Sequence, residues 1–542
     1  MRSSQTLVRT LESLGTRYLF SLSGNQILPI YDACVDSKID LIHVRHEAAA
    51  VHMADAWGRL TGSPGVVLLS AGPGHANALS AMYVAMMAES PIVVISGHAP
   101  LKEVGHGPFQ ELAQAQMSAP VAKAAWVIRD PYNMSSEVTK AFRLSCTGRP
   151  GPVQISIPFD ILQAESVAHE IQASDSMTAC IHVSANSIDG VAAGLRKASR
   201  PLVLTGPWVM RSDAYQNALP TLHDAGIPMV GMESPRGVLD PSRGGFLEIL
   251  EDADFLLLLG MKLEFTLRSG KAPFINPSAR VIQIDPDPLV RSVAERNMRD
   301  RPHLLETIEG DPLHALELLS RTLTGPPHVP PEWAEQTAEA MTFRPPEWKD
   351  IRTTSGDGYH PVEIGIAIDR FISATDDHVF ISDGGEFGQW MQACIGTPTR
   401  VINGPSGAIG SAIPFALGAR LARPSSRIVT CTGDGAFGFH PFEFDTAVRY
   451  QLPFIAVIGN DACWNAEYQI QLRDYGAQRA KGCELLPTRY HDVARALGAW
   501  GAHITNVAEL ADALNSAEQS GLPACINVPI RKEPAPIVKL KT

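Results

Sequence analysis

Short apolar runs rich in β-branched residues alternate along the first part of the chain with segments of helical periodicity. The apolar runs have the length of buried strands, and the segments between them repeat their apolar residues every three or four positions. Strands that alternate with helices in this way predict a parallel, doubly wound sheet. The predicted strands are 18–22, 41–44, 65–70, 91–96 and 153–157, and the predicted helices include 46–60 and 76–88.

The same alternation returns twice. Predicted strands at 201–205, 255–259 and 281–284 form a second group, and those at 379–382, 428–432, 453–458 and 524–528 form a third. Between the groups, 163–178 is polar and 323–346 is rich in proline and charge, so both are interpreted as linkers or surface excursions. The pattern therefore predicts an α/β protein with three doubly wound parallel-sheet domains, at residues 1–165, 180–322 and 355–535.

Composition narrows the possible partners. The 542 residues are 45% hydrophobic and 19% charged, which argues against disorder, and the net charge of −12 comes without a long basic run, so no nucleic-acid partner is expected. No stretch of about 20 apolar residues predicts a membrane span. The N-terminus reads as an amphipathic helix, and the eight cysteines show no metal-type pairing. We expect a soluble cytoplasmic enzyme.

Two predicted strands of the third group end in residues that could bind a cation. Residues 428–432 lead into Gly433-Asp434-Gly435, and 453–458 lead into Gly459-Asn460-Asp461. Ligands of parallel sheets lie outside the carboxyl ends of the strands. Carboxylate and amide oxygens with glycines between them suit a divalent cation that holds a diphosphate. Gly-Asp-Gly alone is more often an ordinary turn, so the prediction depends on a second signal.

A helix-start glutamate in the first group is that second signal. Glu47 follows His46 where the predicted helix begins, a position that the helix dipole favours for any carboxylate. Its neighbours at 48–51 and 53 are all apolar, which indicates a desolvated carboxylate that could donate or accept a proton. A structural helix-start acid is the alternative for Glu47 taken by itself.

Together these stretches resemble the thiamine diphosphate-dependent family of acetolactate synthase, pyruvate decarboxylase and benzaldehyde lyase. The resemblance is carried by Arg45-His46-Glu47-Ala48-Ala49-Ala50 and by Gly433-Asp434-Gly435 with Asn460-Asp461. It implies a pyrimidine-binding domain, a middle Rossmann-like domain and a diphosphate-binding domain. It also implies that Glu47 hydrogen-bonds the cofactor's aminopyrimidine ring across a subunit boundary, in a homodimer at minimum and a homotetramer by expectation.

The resemblance assigns further residues to thiamine diphosphate and Mg²⁺. The side chains of Asp434 and Asp461 and the backbone carbonyl of Cys463 would bind the metal. Gly407 would accept a hydrogen bond from the aminopyrimidine, and Ile409, which alone would be interpreted as a core residue, would be wedged between the two cofactor rings. The diphosphate would contact residues that are glycine or alanine: Gly384, Gly385, Gly435 and Ala436.

The chain also departs from the family pattern. Asp461 stands where relatives have Asn, and Phe387 stands where acetolactate synthases have a His. Residues 230–237 lack the loop by which acetolactate synthases hold FAD, so no flavin is expected. Residues 464–469 replace the segment that closes over their substrate. These departures argue against strict acetolactate synthesis.

Substrate contacts are predicted from both ends of the chain. Gly107-Pro108-Phe109-Gln110-Glu111 resembles an acetolactate synthase stretch that faces the active centre, which favours Gln110 as a polar contact, with plain packing equally open for Phe109. Asn25 and Gln26 stand where decarboxylases have two histidines. Without an imidazole there, we expect a carboligase or lyase acting on 2-oxo acids or 2-hydroxy ketones. A simple 2-oxo acid decarboxylase, an acyl-CoA lyase and a non-catalytic cofactor-binding scaffold are the alternatives.

Overall fold

A computed structural model describes residues 1–167, 180–324, 329–353 and 358–540. Each of the three predicted domains contains one parallel sheet with helices around it, so the prediction of a three-sheet α/β protein is confirmed. The first and third sheets belong to one compact unit, and the middle sheet belongs to another. The predicted linker at 163–178 falls largely outside the described residues. The three predicted domain boundaries stay predictions.

The first sheet has six parallel strands in the order β2-β1-β3-β4-β6-β5. Its strands are β1 Tyr18–Leu22, β2 Asp40–His43, β3 Gly65–Leu69, β4 Ile92–His98, β5 Ala124–Val127 and β6 Pro152–Pro158. Its helices are α1 Ser3–Ser13, α2 Leu28–Cys34, α3 Glu47–Thr61, α4 Pro73–Ala76, α5 Leu79–Met87, α6 Gln114–Ser118, α7 Met134–Cys146 and α8 Phe159–Gln163. The inner strands β3, β4 and β6 are buried throughout, as near-continuous apolar strands in a two-sided parallel sheet should be.

The middle sheet has five parallel strands in the order β11-β10-β9-β7-β8. Its strands are β7 Pro201–Thr205, β8 Met229–Gly231, β9 Phe255–Leu259, β10 Arg280–Asp285 and β11 Leu305–Glu309. Its helices are α9 Ala185–Lys197, α10 Pro207–Met210, α11 Asp213–Asp224, α12 Phe246–Asp252, α13 Pro288–Asn297, α14 Pro312–Thr322 and α15 Pro331–Thr342.

Helix α15 corrects one prediction, because it lies inside the segment 323–346 that was interpreted as a linker. Trp333 on this helix is buried in the core of the middle unit, and its indole Nε1 donates a hydrogen bond to the carbonyl of Pro201 at 2.7 Å. The proline and charge content of the segment was misleading, since Pro330 and Pro331 begin a helix and its charged residues form the solvent face.

The third sheet has six parallel strands in the order β13-β12-β14-β15-β17-β16. Its strands are β12 His378–Ser382, β13 Arg400–Ile402, β14 Arg427–Gly433, β15 Ile455–Asn460, β16 Trp500–His503 and β17 Ala524–Pro529. Its helices are α16 Pro361–Ile372, α17 Gly385–Cys394, α18 Ala412–Ala422, α19 Asp434–Phe437, α20 Glu443–Arg449, α21 Asn465–Tyr475, α22 Tyr490–Ala496 and α23 Leu510–Gln519.

The first and third sheets share a core through helices α3 and α18. A Cβ on Gly418 would lie 2.3 Å from the carbonyl oxygen of Met53. The backbone of α3 therefore packs against α18 at a position where any side chain on α18 would clash. Near this contact Arg59 binds Asp55 through two nitrogens, at 2.6 and 2.7 Å, and also donates to the carbonyl of Ile402. This buried charge is fully paired, as its position requires.

None of the helices in the described ranges combines the length and the apolarity that a membrane-crossing helix needs.

Candidate active site

A cleft opens at the carboxyl edge of the third sheet, where β12, β14 and β15 end. Its lining contains every third-domain residue that the sequence assigned to the cofactor or the metal, together with side chains that follow β12 and β15. The lining residues are Gly384, Gly385, Glu386, Phe387, Gly407, Ile409, Gly433, Asp434, Gly435, Ala436, Gly459, Asp461, Cys463, Trp464, Asn465, Ala466 and Glu467. The structure therefore brings this predicted half of the site together, although the roles of its residues stay predictions.

The glycines of the cleft serve two different purposes. A Cβ on Gly433 or Gly385 would meet nothing within 4 Å, so these positions leave space open, and the φ of 81° at Gly385 suits glycine. A Cβ on Gly435 would instead lie 2.8 Å from the ring of Trp464, and one on Gly384 would lie 2.7 Å from Cγ2 of Ile409. Side chains at those two positions would force the cleft walls apart.

Ile409 lies on the cleft wall and is only half-buried, so the alternative that it is a core residue is not supported. The loop that carries it is pinned at both ends. Asn403 donates its side-chain amide to the carbonyl of Ala408 at 2.9 Å, and the amide of Gly407 donates to the carbonyl of Gly404 at 3.2 Å. Gly407, with a φ of 67°, is exposed at the tip of this loop.

Two carboxylates face each other across the floor of the cleft. Burial raises the pKa of Asp434, and burial together with the charge of Asp434 raises the pKa of Asp461. Oδ2 of Asp434 is buried and has no hydrogen-bond partner among the described residues. A cation would lower the energy of both carboxylates and satisfy this oxygen, so the donor set fits a divalent metal ion.

The backbone after Asp461 turns sharply. Ala462 has a φ of 51°, an uncommon conformation for a residue with a side chain, and it directs the chain towards Cys463. Cys463 is buried, and burial raises the pKa of its thiol to about 11, so the thiol stays protonated at neutral pH. The described residues contain no group of three or more His, Cys, Asp or Glu side chains arranged to bind a metal.

Glu47 lies apart from this cleft, at the carboxyl edge of the first sheet. It begins α3, after the N-cap His46, whose Nδ1 accepts a hydrogen bond from the amide of Ala48 at 3.1 Å. Its Oε2 accepts a hydrogen bond from the side-chain amide of Asn77 at 2.9 Å, and a Cβ on Gly74 would lie 3.3 Å from its Oε1. The carboxylate is thus held from one side and only 9% of the residue is exposed.

The other predicted residues of the first domain gather on the same edge. Gln26 is buried, and its Oε1 accepts a hydrogen bond from the hydroxyl of Ser70 at 3.0 Å. Gln110 has a φ of 59° and packs against Gly72. A Cβ on Gly72 would lie 3.0 Å from the Cβ of Gln110. Its Oε1 is buried without a hydrogen-bond partner within the described ranges, which leaves it available to a ligand. Asn25 is exposed beside Gln26.

Phe109 is 71% exposed, so the packing alternative for this residue is not supported within one chain.

Sequence reasoning missed the residues that hold these groups in place. Asn77 anchors Glu47, and Gln114 ties the loop after β3 to the sheet by accepting from the amide of Gly72 at 2.8 Å and donating to the carbonyl of Gly97 at 3.0 Å. Asp383 follows β12 directly and is completely buried. Of the three, only Asp383 had a recognisable signal, since a carboxylate immediately after a buried strand is the pattern that identified Asp434.

Comparisons with known proteins agree with the geometry. Residues 1–117, 188–304 and 383–528 match the N-terminal TPP binding, central and C-terminal TPP binding domains of the thiamine pyrophosphate enzymes. A probable acetolactate synthase of Mycobacterium bovis is 31% identical over 540 residues, which covers 97% of this chain and 95% of that protein. The human 2-hydroxyacyl-CoA lyase 2 is 28% identical, covering 97% of this chain and 89% of its own.

An acetolactate synthase isozyme 3 large subunit of Escherichia coli is also 28% identical, over 95% of this chain and 92% of that subunit.

Proposed function

Since this chain belongs to the thiamine diphosphate-dependent, acetolactate synthase-like enzymes, and so is a carbon–carbon lyase or transferase, we propose that it is a Mg²⁺- and thiamine diphosphate-dependent carboligase or lyase. Its substrates would be 2-oxo acids or 2-hydroxy ketones, and it would not be a true acetolactate synthase. The observation that carries the proposal is the pair of half-sites, with Asp434 and Asp461 on one sheet edge and Glu47 on another.

The bound cofactor would supply an electron sink for carbanion chemistry, and the protein would supply binding, orientation and proton transfer. Asp434, Asp461 and the carbonyl of Cys463 would hold the Mg²⁺. The unpartnered Oδ2 of Asp434 and the open glycines Gly385 and Gly433 support this assignment. The N-terminus of α17, which begins at Gly385, would add backbone N–H groups for the diphosphate.

Glu47 would exchange a proton with the aminopyrimidine end of the cofactor. Its hydrogen bond from Asn77 occupies Oε2 and supports Oε1 as the oxygen that faces the ligand. Gly74 has no side chain, which leaves space beside Oε1, whereas a Cβ at this position would lie 3.3 Å from that oxygen. General acid–base groups of this kind contribute roughly 10²–10⁴-fold to a rate.

The substrate would lie near Gln110, Gln26 and Asn25. Gln110 offers an unpartnered amide oxygen, and Gln26 is already engaged with Ser70, so Gln110 is the stronger candidate for a direct contact. None of the three can act as a strong acid. This supports transfer of the bound carbon unit to a second carbonyl over its release as a free aldehyde.

A complete site would require a second copy of the chain. Glu47 is absent from the lining of the cleft that holds Asp434, although both belong to the same compact unit. We propose a homodimer at minimum and expect a homotetramer, because isologous interfaces commonly build up to such assemblies. All eight cysteines are free, which supports a reducing, cytoplasmic compartment.

The direct test is a panel of 2-oxo acids and 2-hydroxy ketones incubated with the protein, thiamine diphosphate and Mg²⁺, with products identified by mass. The proposal expects 2-hydroxy ketones that contain carbon from two substrate molecules and that disappear when the cofactor is left out. Free aldehyde as the only product from the 2-oxo acids, with the 2-hydroxy ketones left uncleaved, would support the simple decarboxylase instead.

An acyl-CoA lyase is the second candidate, because curated relatives are named 2-hydroxyacyl-CoA lyase 2. Adding 2-hydroxyacyl-CoA thioesters to the same panel separates the two functions, since only the lyase would release formyl-CoA or a related thioester fragment. The scaffold alternative is separated by deuterium exchange at the thiazolium carbon of the bound cofactor. Exchange no faster than in free thiamine diphosphate would mean that Glu47 does not act.

A further inference from the structure

Asp383 is a completely buried carboxylate that none of the roles above uses. It directly follows β12 and precedes Gly384 and Gly385 on the cleft wall, yet its side chain turns inward and does not line the cleft. A buried carboxylate is costly unless donors satisfy it. The identity of its donors therefore shows what this charge holds in place.

The first two donors lie where the loop that carries Gly407 and Ile409 runs into the start of α18. The amide of Gly410 donates to Oδ2 of Asp383 at 2.9 Å, and the amide of Ala412 donates to the same oxygen at 3.4 Å. Gly410 has a φ of 90°, so the loop reaches the carboxylate through a conformation that favours glycine. Nδ1 of His440 lies 2.7 Å from the carbonyl of Gly410 and holds the same peptide segment from another direction.

The third donor belongs to the strand end that carries Asp434. The hydroxyl of Thr432 donates to Oδ1 of Asp383 at 2.9 Å, and Thr432 lies immediately before Gly433 and Asp434. One side chain thus connects the end of β12, the loop at 404–412 and the end of β14. These are three of the segments that form the cleft.

We propose that Asp383 is a positioning residue of the cofactor cleft, whose carboxylate fixes the loop at 404–412 against the strand end that bears Asp434. The inference rests on the proposed cofactor site. Loss of these hydrogen bonds would let Gly407 and Ile409 move relative to Asp434, so that the cleft would have to be ordered when the cofactor binds. Such ordering lowers affinity, because binding must then offset a conformational entropy cost.

The geometry of the hydrogen bonds provides a discriminating pair of variants. In Asp383→Asn, the side-chain oxygen can accept from Gly410 and Ala412, and the amide can donate to Thr432, whose hydroxyl can turn to accept. In Asp383→Ala, all three donors lose their acceptor. A role in positioning therefore predicts that Asn rescues what Ala loses.

A matched control lies at the other end of the same strand. Asp377 precedes β12 and accepts hydrogen bonds from the hydroxyls of Ser425, at 3.1 Å, and Ser426. It ties together loops at the opposite edge of the sheet, away from the cleft. Asp377 is exposed, so Asp377→Ala controls for the loss of a hydrogen-bonded aspartate at this strand without changing the cleft.

The first readout needs no cofactor. Amide hydrogen–deuterium exchange of the apoprotein, followed by mass spectrometry of peptides covering 404–412, should be roughly tenfold faster in Asp383→Ala than in wild type. Asp383→Asn and Asp377→Ala should stay within about threefold of wild type in this segment. Equal exchange in Asp383→Ala and wild type, or equal acceleration by Asp377→Ala, would overturn the proposal.

The second readout is the dissociation constant of thiamine diphosphate at saturating Mg²⁺, measured by calorimetry. It should rise roughly tenfold in Asp383→Ala and stay within about threefold of wild type in Asp383→Asn and Asp377→Ala. Unchanged affinity in Asp383→Ala would contradict the proposal. If wild type itself does not bind the cofactor, the proposed function fails, while the exchange measurement still decides the role of Asp383.

Thr432→Val covers the case in which Asp383→Ala does not fold. It removes the hydroxyl that donates to Asp383, and that also lies 3.3 Å from the carbonyl of Gly433, and it keeps the loop hydrogen bonds. We expect a roughly three- to tenfold rise in the same dissociation constant, with loop exchange unchanged. No rise would show that the connection to the Asp434 strand end has no role.

Discussion

The sheets of the first and third domains have the same strand order, but the residues at their carboxyl edges differ in chemistry. If the strands of each domain are numbered in sequence order, both sheets have the spatial order 2-1-3-4-6-5. The residues that immediately follow the first, third and fourth strands are Ser23, Ser70 and Ala99 in the first domain. In the third domain they are Asp383, Asp434 and Asp461.

This difference supports the two roles proposed for the edges. Asp434 and Asp461 line the cleft, whereas Asp383 is buried beside it and accepts hydrogen bonds from the loop at 404–412 and from β14. Serine and alanine at the matching positions of the first domain carry no charge. The carboxylate of Glu47 on the first edge comes from the start of a helix and has one side-chain amide donor. The same topology would thus provide the proposed anchor in one domain and the proposed proton-transfer group in the other, and the residues at the sheet edges would make the difference.

The largest expected effect comes from the proton-transfer edge. Glu47→Gln should reduce product formation on the substrate panel by roughly 10²–10⁴-fold, because a glutamine cannot exchange the proton. Its affinity for thiamine diphosphate should stay within about threefold of wild type, since the anchoring edge is intact. The exposed Asp36→Asn, in the same domain, should leave both quantities unchanged. A loss of affinity as large as the loss of turnover would show that Glu47 is an anchor.

The opposite profile is expected at the anchoring edge. Asp434→Ala should weaken the binding of thiamine diphosphate with Mg²⁺ by roughly 100-fold, because it removes a metal ligand. Calorimetric titration would measure this, with the exposed Asp512→Ala as the matched control. Binding within a few fold of wild type would contradict the assignment of the cleft.

A smaller effect is expected at Asp461, where the chain departs from its relatives. Asp461→Asn should raise the Mg²⁺ concentration needed for half-maximal cofactor binding by roughly three- to tenfold, since an amide oxygen binds the cation less strongly than a carboxylate. A Mg²⁺ titration at fixed thiamine diphosphate measures this value. If it does not change, the side chain is not a ligand.

The smallest expected effect is a pH-dependent change in thermal stability that depends on Asp383. Burial raises its pKa from 3.8 to about 6, against the opposing effect of hydrogen bonds from Thr432, Gly410 and Ala412. The thiol of Cys431 also faces it. A raised pKa means that the protonated group stabilises the fold below pH 3.8 and that this contribution, up to about 3 kcal/mol, is lost as the pH rises through 6.

Asp383→Asn does not titrate, so its melting temperature relative to wild type should increase by a few degrees between pH 5 and pH 8. Thermal unfolding of the apoprotein at several pH values would measure this. A difference that is constant with pH would mean that Asp383 is not the titrating group.

The sequence predicted inner strands better than edge strands. β5, β8, β11, β13 and β16 were not predicted, and each lies at an edge of its sheet. All residues of β5, and most residues of β11 and β16, are only half-buried. These strands therefore lack the continuous apolar run by which β9 and β15 were recognised. Edge strands contact one neighbour only, and their sequences are correspondingly less constrained.

The candidate site shows a similar limit. Asp434 and Asp461 could be found because a strand and a glycine adjoin them in sequence, and the resemblance supplied Glu47, Gly407 and Ile409. The support of these residues could not be found in this way. Asp383 depends on partners 27 and 49 residues later in the chain, and Glu47 depends on Asn77, which is 30 residues away. Only the folded chain brings such pairs together.

We propose that the carboxyl edges of the first and third sheets, taken from different copies of the chain, form one active centre. Co-expressing Glu47→Gln and Asp434→Ala subunits in equal amounts, and assaying the unfractionated mixture of dimers, tests this directly. In an equal random mixture of dimers about one quarter of the centres would contain both wild-type residues. We expect each variant alone to be inactive and the mixture to regain about a quarter of wild-type turnover. A mixture as inactive as either variant would contradict it.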